Sequence, residues 1–202
     1  MPLSPVVGGH RSSPPPVNEP VRPYAPGSPE RASLKSRLAT LADERIQIPI
    51  VIGGRDIRTS AVESAVMPHD YRHVLAGYHK ATPDIARQAA DAALAAHKDW
   101  SQWPFDDRAA VFLRAADLLA TSWRDTINGA TMLGQSKTAF QAEIDAACEV
   151  IDFWRFNVHF ARQLLDEQPI SEPGTWNQTD HRPLEGFVYA VTPFNFTSIA
   201  GN

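Results

Sequence analysis

Near the carboxyl end of the sequence, Thr192-Pro193-Phe194-Asn195-Phe196 follows the apolar run Gly186-Phe187-Val188-Tyr189-Ala190-Val191. A strand that ends in proline, an aromatic ring and asparagine puts a rigid backbone and a side-chain amide at the carboxyl edge of a sheet, where open α/β folds bind ligands. Placed there, Asn195 can donate its amide hydrogens to an oxygen that gains negative charge during reaction. A preorganised donor of this kind contributes roughly 3 to 4 kcal/mol. The same residue types also suit an asparagine that caps or turns the chain after a strand, and composition alone favours that use.

Other residues with chemical potential are weaker candidates. Cys148 lies mid-helix between apolar neighbours, where burial raises a thiol pKa and removes nucleophilicity. His69 and His73 are four positions apart, but Pro68 argues against a helix there, and no acid or cysteine completes a metal set. They are expected to be ordinary loop or strand histidines. Gly53-Gly54 is not followed by a helix whose amides would face a phosphate. The pair instead predicts the turn of a hairpin between Ile48–Ile52 and Arg55–Thr59.

The elements that must position these residues are mostly helical. Ser28 as N-cap and Pro29 at the first turn open a short helix with Leu34, Leu38 and Leu41 on one face. Thr82 and Pro83 open the next, whose stripe Ile85, Ala89, Ala93, Ala96 and Trp100 predicts packing against a neighbour. A further helix starts near Pro104-Phe105-Asp106-Asp107 and buries Phe112, Leu113, Ala116 and Leu119, continuing through Trp123 and Ile127 to Gly134. Thr138 and Gln141 form a capping box for the strongest helix, with Phe140, Ile144, Ala147, Ile151, Trp154, Val158 and Leu165 down one side. After Pro169 the pattern becomes extended, and residues 186–191 predict a strand buried on both faces. Such a strand needs partners, and parallel ones arrive only through long crossovers. The expectation is therefore an α/β domain cut before its sheet is complete.

Composition bounds the rest. With 202 residues, 43% of them hydrophobic, the chain has material for a core. A formal charge of −4 provides no overall positive field for nucleic acid or an anionic membrane. One cysteine excludes an internal disulfide and fits a reducing, cytoplasmic setting. Residues 1–20 have no apolar core of a secretory signal, and Pro14-Pro15-Pro16 would interrupt the helix of a mitochondrial presequence. No apolar run approaches the ~20 residues that span a bilayer. Nine of the 17 prolines fall between Pro2 and Pro29, so residues 1–30 are expected to be a disordered tail that buries little.

The strand with its Pro-aromatic-Asn ending resembles the start of the dinucleotide-binding fold of the aldehyde dehydrogenase superfamily. Longer stretches are more specific: Thr131-Met132-Leu133-Gly134-Gln135-Ser136-Lys137-Thr138, Gln141–Ala147, Ile151–Asn157, Gln168-Pro169-Ile170-Ser171 and Glu185-Gly186-Phe187. With Asn18-Glu19-Pro20 and Gly27–Arg31, they are similar to the 1-pyrroline-5-carboxylate (glutamate-semialdehyde) dehydrogenase branch, from about Val17 to Asn202. This resemblance implies that residues 31–202 form the N-terminal, incomplete part of a Rossmann-like NAD-binding domain, with helices, a hairpin and the first sheet strand. It implies NAD-dependent oxidation of L-glutamate γ-semialdehyde to glutamate, in proline breakdown, through a cysteine thiohemiacetal and a thioester, in a homo-oligomeric enzyme. Asn195 would be the oxyanion donor, and Thr192, Pro193 and Phe194 the nicotinamide-side wall. Phe196 would pack on the aliphatic part of the substrate, and Glu149 would face the active-site region, unless it is simply an exposed helix carboxylate. In the branch, the nucleophilic cysteine, the general-base glutamate and the lysine and glycine-rich turn that hold the dinucleotide lie downstream of this sequence. Cys148 does not align with the nucleophile, so this chain alone is expected to be inactive. Two other readings are a non-catalytic helical interaction module and a dehydrogenase for another semialdehyde such as succinate semialdehyde.

Overall fold

The structure is a computed structural model and describes residues 15–201. The tail expected over residues 1–14, and Asn202, lie outside the described residues. Helix α1 (Pro29–Asp43) begins as its cap predicts, with the Ser28 hydroxyl accepting from the Arg31 amide at 3.3 Å. Three short strands follow: β1 (Ile46–Ile48), β2 (Ile50–Ile52) and β3 (Arg55–Ile57). β2 and β3 pair antiparallel, with Ile52 opposite Arg55. The turn between them is Gly53-Gly54, at φ 56° and 74°, and two successive positive φ values are the backbone of a type I′ turn. β4 (Val62–Met67) and β5 (Asp70–His79) pair antiparallel, and β1 adds to β5 in parallel, giving a three-stranded sheet in the order β1-β5-β4.

Four helical stretches complete the body: α2 (Pro83–Trp100), α3 (Phe105–Ala120), α4 (Arg124–Gln135) and a long run beginning with α5 (Ala139–Ala142). That run passes through a π-helical segment, Glu143–Cys148, into α6 (Glu149–Asp166). Its start is the expected capping box, with the Thr138 hydroxyl and the Gln141 side chain each accepting from the other residue's amide. Ala116 and Leu119 of α3 meet Ala147, Val150 and Ile151 in the core, with Ile127, Trp154 and Ile199 packed against them. α1 lies on α4, where a Cβ added at Gly129 would stand 2.8 Å from Leu41 Cδ1. Leu41 is itself buried. Gly129→Val is therefore expected to cost about 1–3 kcal/mol by overpacking, read as a lowered urea midpoint; an unchanged midpoint would mean that the helices separate freely.

Several expectations are corrected. The helix foreseen from Pro104 to Gly134 is two helices, because Thr121 Oγ1 bonds back to the Asp117 carbonyl at 2.7 Å and Thr121 itself leaves helical geometry. Such side-chain bonds compete with the helical ladder. Phe112 is exposed, while Ala116 and Leu119 are buried as expected. On the long helical run, Ala147, Ile151 and Val158 are buried, whereas Phe140 and Leu165 are exposed. The stripe of α2 buries no residue; its small alanines recur at helical spacing, but no described element covers them. Residues 186–191 form no strand, and Phe187, Val188, Tyr189 and Val191 are all exposed. A strand exists only through a ladder partner, and no described strand lies beside this one.

The tail is also corrected where it is described. Residues 17–24 form no regular secondary structure, yet Tyr24 is buried. Glu19 ion-pairs with Arg155 at 2.7 Å, and its amide donates to Asp152 at 2.7 Å. Proline-rich composition removes ladder donors, but it does not stop specific side chains and amides from docking on helices.

Candidate functional site

The most deeply buried polar groups join this N-terminal strap to α4 and the π segment. Glu143 and Arg124 are 0% and 1% exposed and form an ion pair. Glu143 also accepts from the Arg22 amide (2.7 Å), the Tyr24 hydroxyl (2.8 Å) and Asn128 Nδ2 (2.7 Å). Arg124 donates to the Pro20 carbonyl at 2.8 Å and pairs with Glu19. Burial alone would raise the Glu143 carboxyl, but the bonds from Arg124, the Arg22 amide and Tyr24 outweigh it and hold the group below the usual range. The Tyr24 hydroxyl is pushed up by burial and by its bond to Glu143.

Cys148 completes this cluster, accepting from Arg124 at 3.3 Å. Burial, followed by the Glu143 charge, pushes its thiol up to about 12. The native chain is therefore expected to resist iodoacetamide at about pH 8 and to alkylate fast once unfolded, as counted by intact mass. Rapid native alkylation would contradict the buried, protonated thiol.

The turn carrying Asn195 rests on the other end of α4. Gln135 is the last residue of α4, and its side-chain amide is oriented by the surrounding hydrogen bonds. Its oxygen accepts from the amides of Phe196 (3.3 Å) and Thr197 (3.1 Å), and its nitrogen donates to the Asn195 carbonyl (3.1 Å). The hydroxyl of buried Thr131 is bonded to that of exposed Thr197 at 2.8 Å. Ser198 Oγ donates to the Ala146 carbonyl in the π segment at 2.9 Å. Lys137 Nζ lies 4.2 Å from the Phe196 ring centroid and ion-pairs with Asp145 at 2.7 Å.

Among the described residues the Asn195 side-chain amide itself has no partner, and the residue is exposed. Thr192, Pro193 and Phe194 are exposed too, Phe194 at 96%. Glu149 is half-buried, and burial, then the Asp145 charge, raises its carboxyl. It lines a cavity of about 420 Å³ with Asn18, Asp152 and Phe153. Phe196 and Glu149 thus flank the same Lys137–Asp145 pair, whereas no described contact joins either to Thr192, Pro193 or Phe194. A second cavity, about 520 Å³ between Trp100, Phe112 and Trp154, touches none of these residues. His69 Nδ1 meets Ser136 Oγ at 2.7 Å and His73 Nε2 meets the Ala42 carbonyl at 2.8 Å, so each has a partner of its own.

Gln135, Thr131, Ser198 and the Arg124–Glu143 pair were not legible as site residues. One signal was available for Glu143: it stands four residues before Ala147 and eight before Ile151, so a carboxylate continues a core-facing row. For Gln135, at a helix end, residue type and spacing carry no such signal.

Residues 58–200 match the model of the aldehyde dehydrogenase family, and the chain belongs to that family. It is 48% identical over 191 residues to the delta-1-pyrroline-5-carboxylate dehydrogenase of Agaricus bisporus, covering 94% of this chain and 35% of that protein. It is 47% identical to the mitochondrial delta-1-pyrroline-5-carboxylate dehydrogenase of Mus musculus, covering 96% of this chain and 34% of that one. A crystal structure of the Mycobacterium tuberculosis Delta-pyrroline-5-carboxylate dehydrogenase bound with NAD superposes with a TM-score of 0.93. It is 59% identical over 96% of this chain and 36% of its own. The chain thus spans about a third of the length of the relatives it matches. Among the described residues no helix is long and apolar enough to cross a membrane.

Proposed function

We propose that this chain is the part of a pyrroline-5-carboxylate dehydrogenase that supplies the oxyanion donor and two walls of its site. The substrate in this reading is L-glutamate γ-semialdehyde and the product is glutamate. The observation that carries the reading is the Asn195 turn: its backbone is fixed on three sides while its side-chain amide stays unpartnered and exposed. A donor held in place but left unsatisfied is what a developing oxyanion needs. Phe196, stacked under Lys137, offers a ring face to the aliphatic carbons of the substrate, and Glu149 borders the same side.

NAD fits the exposed Thr192-Pro193-Phe194 edge, whose uncovered proline and aromatic surfaces suit a flat ring. When bound, NAD takes up the two electrons and the proton that the aldehyde carbon loses, while water provides the second carboxylate oxygen. The sulfur nucleophile and the general base come from the portion of the relatives' length that this chain does not span; Cys148, buried and protonated, is unsuited to the first role. The free thiol fits a reducing, cytoplasmic setting, and the assembly is a homo-oligomer in this reading.

An enzyme of the relatives' length carrying this segment is expected to form NADH with kcat/KM for glutamate semialdehyde roughly 10- to 200-fold above that for succinate semialdehyde. Equal values would overturn the substrate assignment. The 202-residue chain alone is expected to form none, and turnover there would place the nucleophile within it.

A further inference from the structure

We propose that Gln135 and Thr131 are positioning residues that act through Asn195, an inference that rests on the oxyanion role given above. The turn 195–198 has no regular secondary structure before Ile199, so no backbone ladder fixes it. Its orientation instead comes from α4 and the π segment. One Gln135 side chain meets three successive residues, accepting from the amides of Phe196 and Thr197 and donating to the carbonyl of Asn195. That pattern fixes the peptide planes on either side of Phe196 Cα, and the first of them begins at the Asn195 carbonyl, so Asn195 Cα is anchored from its carboxyl side. Thr131, fully buried one helical turn earlier, holds the next hydroxyl, Thr197 Oγ1, at 2.8 Å.

The third tether shows how the fold makes this possible. Within a π-helical segment the i→i−4 ladder is interrupted and carbonyls become available to other donors. Ala146 lies inside that segment, and its carbonyl accepts from Ser198 at 2.9 Å. Glu143, at the start of the segment, is held by the buried network around Arg124. The strap, the π segment and the donor turn therefore form one connected support. Gln135 and Thr131 touch neither reacting atoms nor cofactor; their effect passes through the placement of one amide.

The test is a double-mutant cycle in an enzyme of the relatives' length carrying this segment. Gln135→Leu and, separately, Thr131→Val are each expected to lower kcat roughly 10- to 100-fold, the scale of a small misplacement of a catalytic group, with KM and thermal midpoint little changed. In an Asn195→Ala background the same substitutions are expected to cost less than about twofold, because the group they aim is gone. Full additivity, or an unchanged kcat in both single variants, would overturn the positioning role. If Asn195→Ala alone leaves kcat intact, the oxyanion reading fails first. If Gln135→Leu does not fold, Thr131→Val decides, since it keeps shape and removes only the hydroxyl.

Discussion

Glu143→Ala is expected to destabilise the folded chain by about 3–5 kcal/mol, because it leaves the Arg124 guanidinium buried without its counterion. Both partners are almost completely withdrawn from solvent, so water cannot replace the lost carboxylate. Three neutral donors, the Arg22 amide, Tyr24 and Asn128, lose their acceptor at the same time. Urea unfolding measures the effect, and a loss below about 1 kcal/mol would show that the pair is solvated. Replacing both charges, as in Glu143→Leu with Arg124→Met, is expected to recover much of the loss, since a neutral apolar pair carries no desolvation cost. The pH dependence has a definite sign. The folded Glu143 carboxyl lies below the usual range, so its stabilisation is complete above the unfolded value of about 4.3. It is lost as pH falls through the lower, folded value. Glu143→Ala should therefore flatten the acid limb of stability against pH and leave the limb above neutrality unchanged.

What sequence made legible was whatever depends on local rules. The Ser28, Thr82 and Thr138 caps, the Gly53-Gly54 turn and the alternation into helices all rest on interactions within a few residues. The three caps and the turn are found where expected. The break at Thr121, made by a bond to Asp117, is a local feature that helical periodicity did not reveal, and the other failures are tertiary. The α2 stripe has the right period, but periodicity states only that a face can be buried and not that something covers it. Residues 186–191 have strand composition, and a strand needs a neighbour that composition cannot provide. The strap over residues 17–24 is the reverse case. Its prolines disfavour regular structure, yet Glu19 and Tyr24 reach partners more than 100 positions away, and sequence spacing says nothing about contacts at that range. At the proposed site, Asn195 stands in a contiguous motif that sequence can single out, whereas Gln135 would act across 60 positions through an ordinary side chain.

Asn195→Ala, in an enzyme of the relatives' length carrying this segment, is expected to lower kcat by about 10²–10³-fold. KM should change little, because the donor meets full negative charge only in the transition state and interactions made there alone appear in kcat. The structure favours this over the alternative, an asparagine that merely turns the chain. A turning asparagine bonds its own backbone through its side chain. Here Gln135, Thr131 and Ser198 hold the turn, and no described contact uses the Asn195 side-chain amide. Removing that amide should therefore leave the fold untouched, and the thermal midpoint of the variant should match the parent's. Asn195→Asp gives an independent check: a carboxylate is similar in shape but donates nothing and repels an oxyanion, so its loss should equal or exceed that of alanine. A turning role predicts the opposite order, with aspartate tolerated, alanine destabilising the protein and kcat falling by less than about tenfold in both.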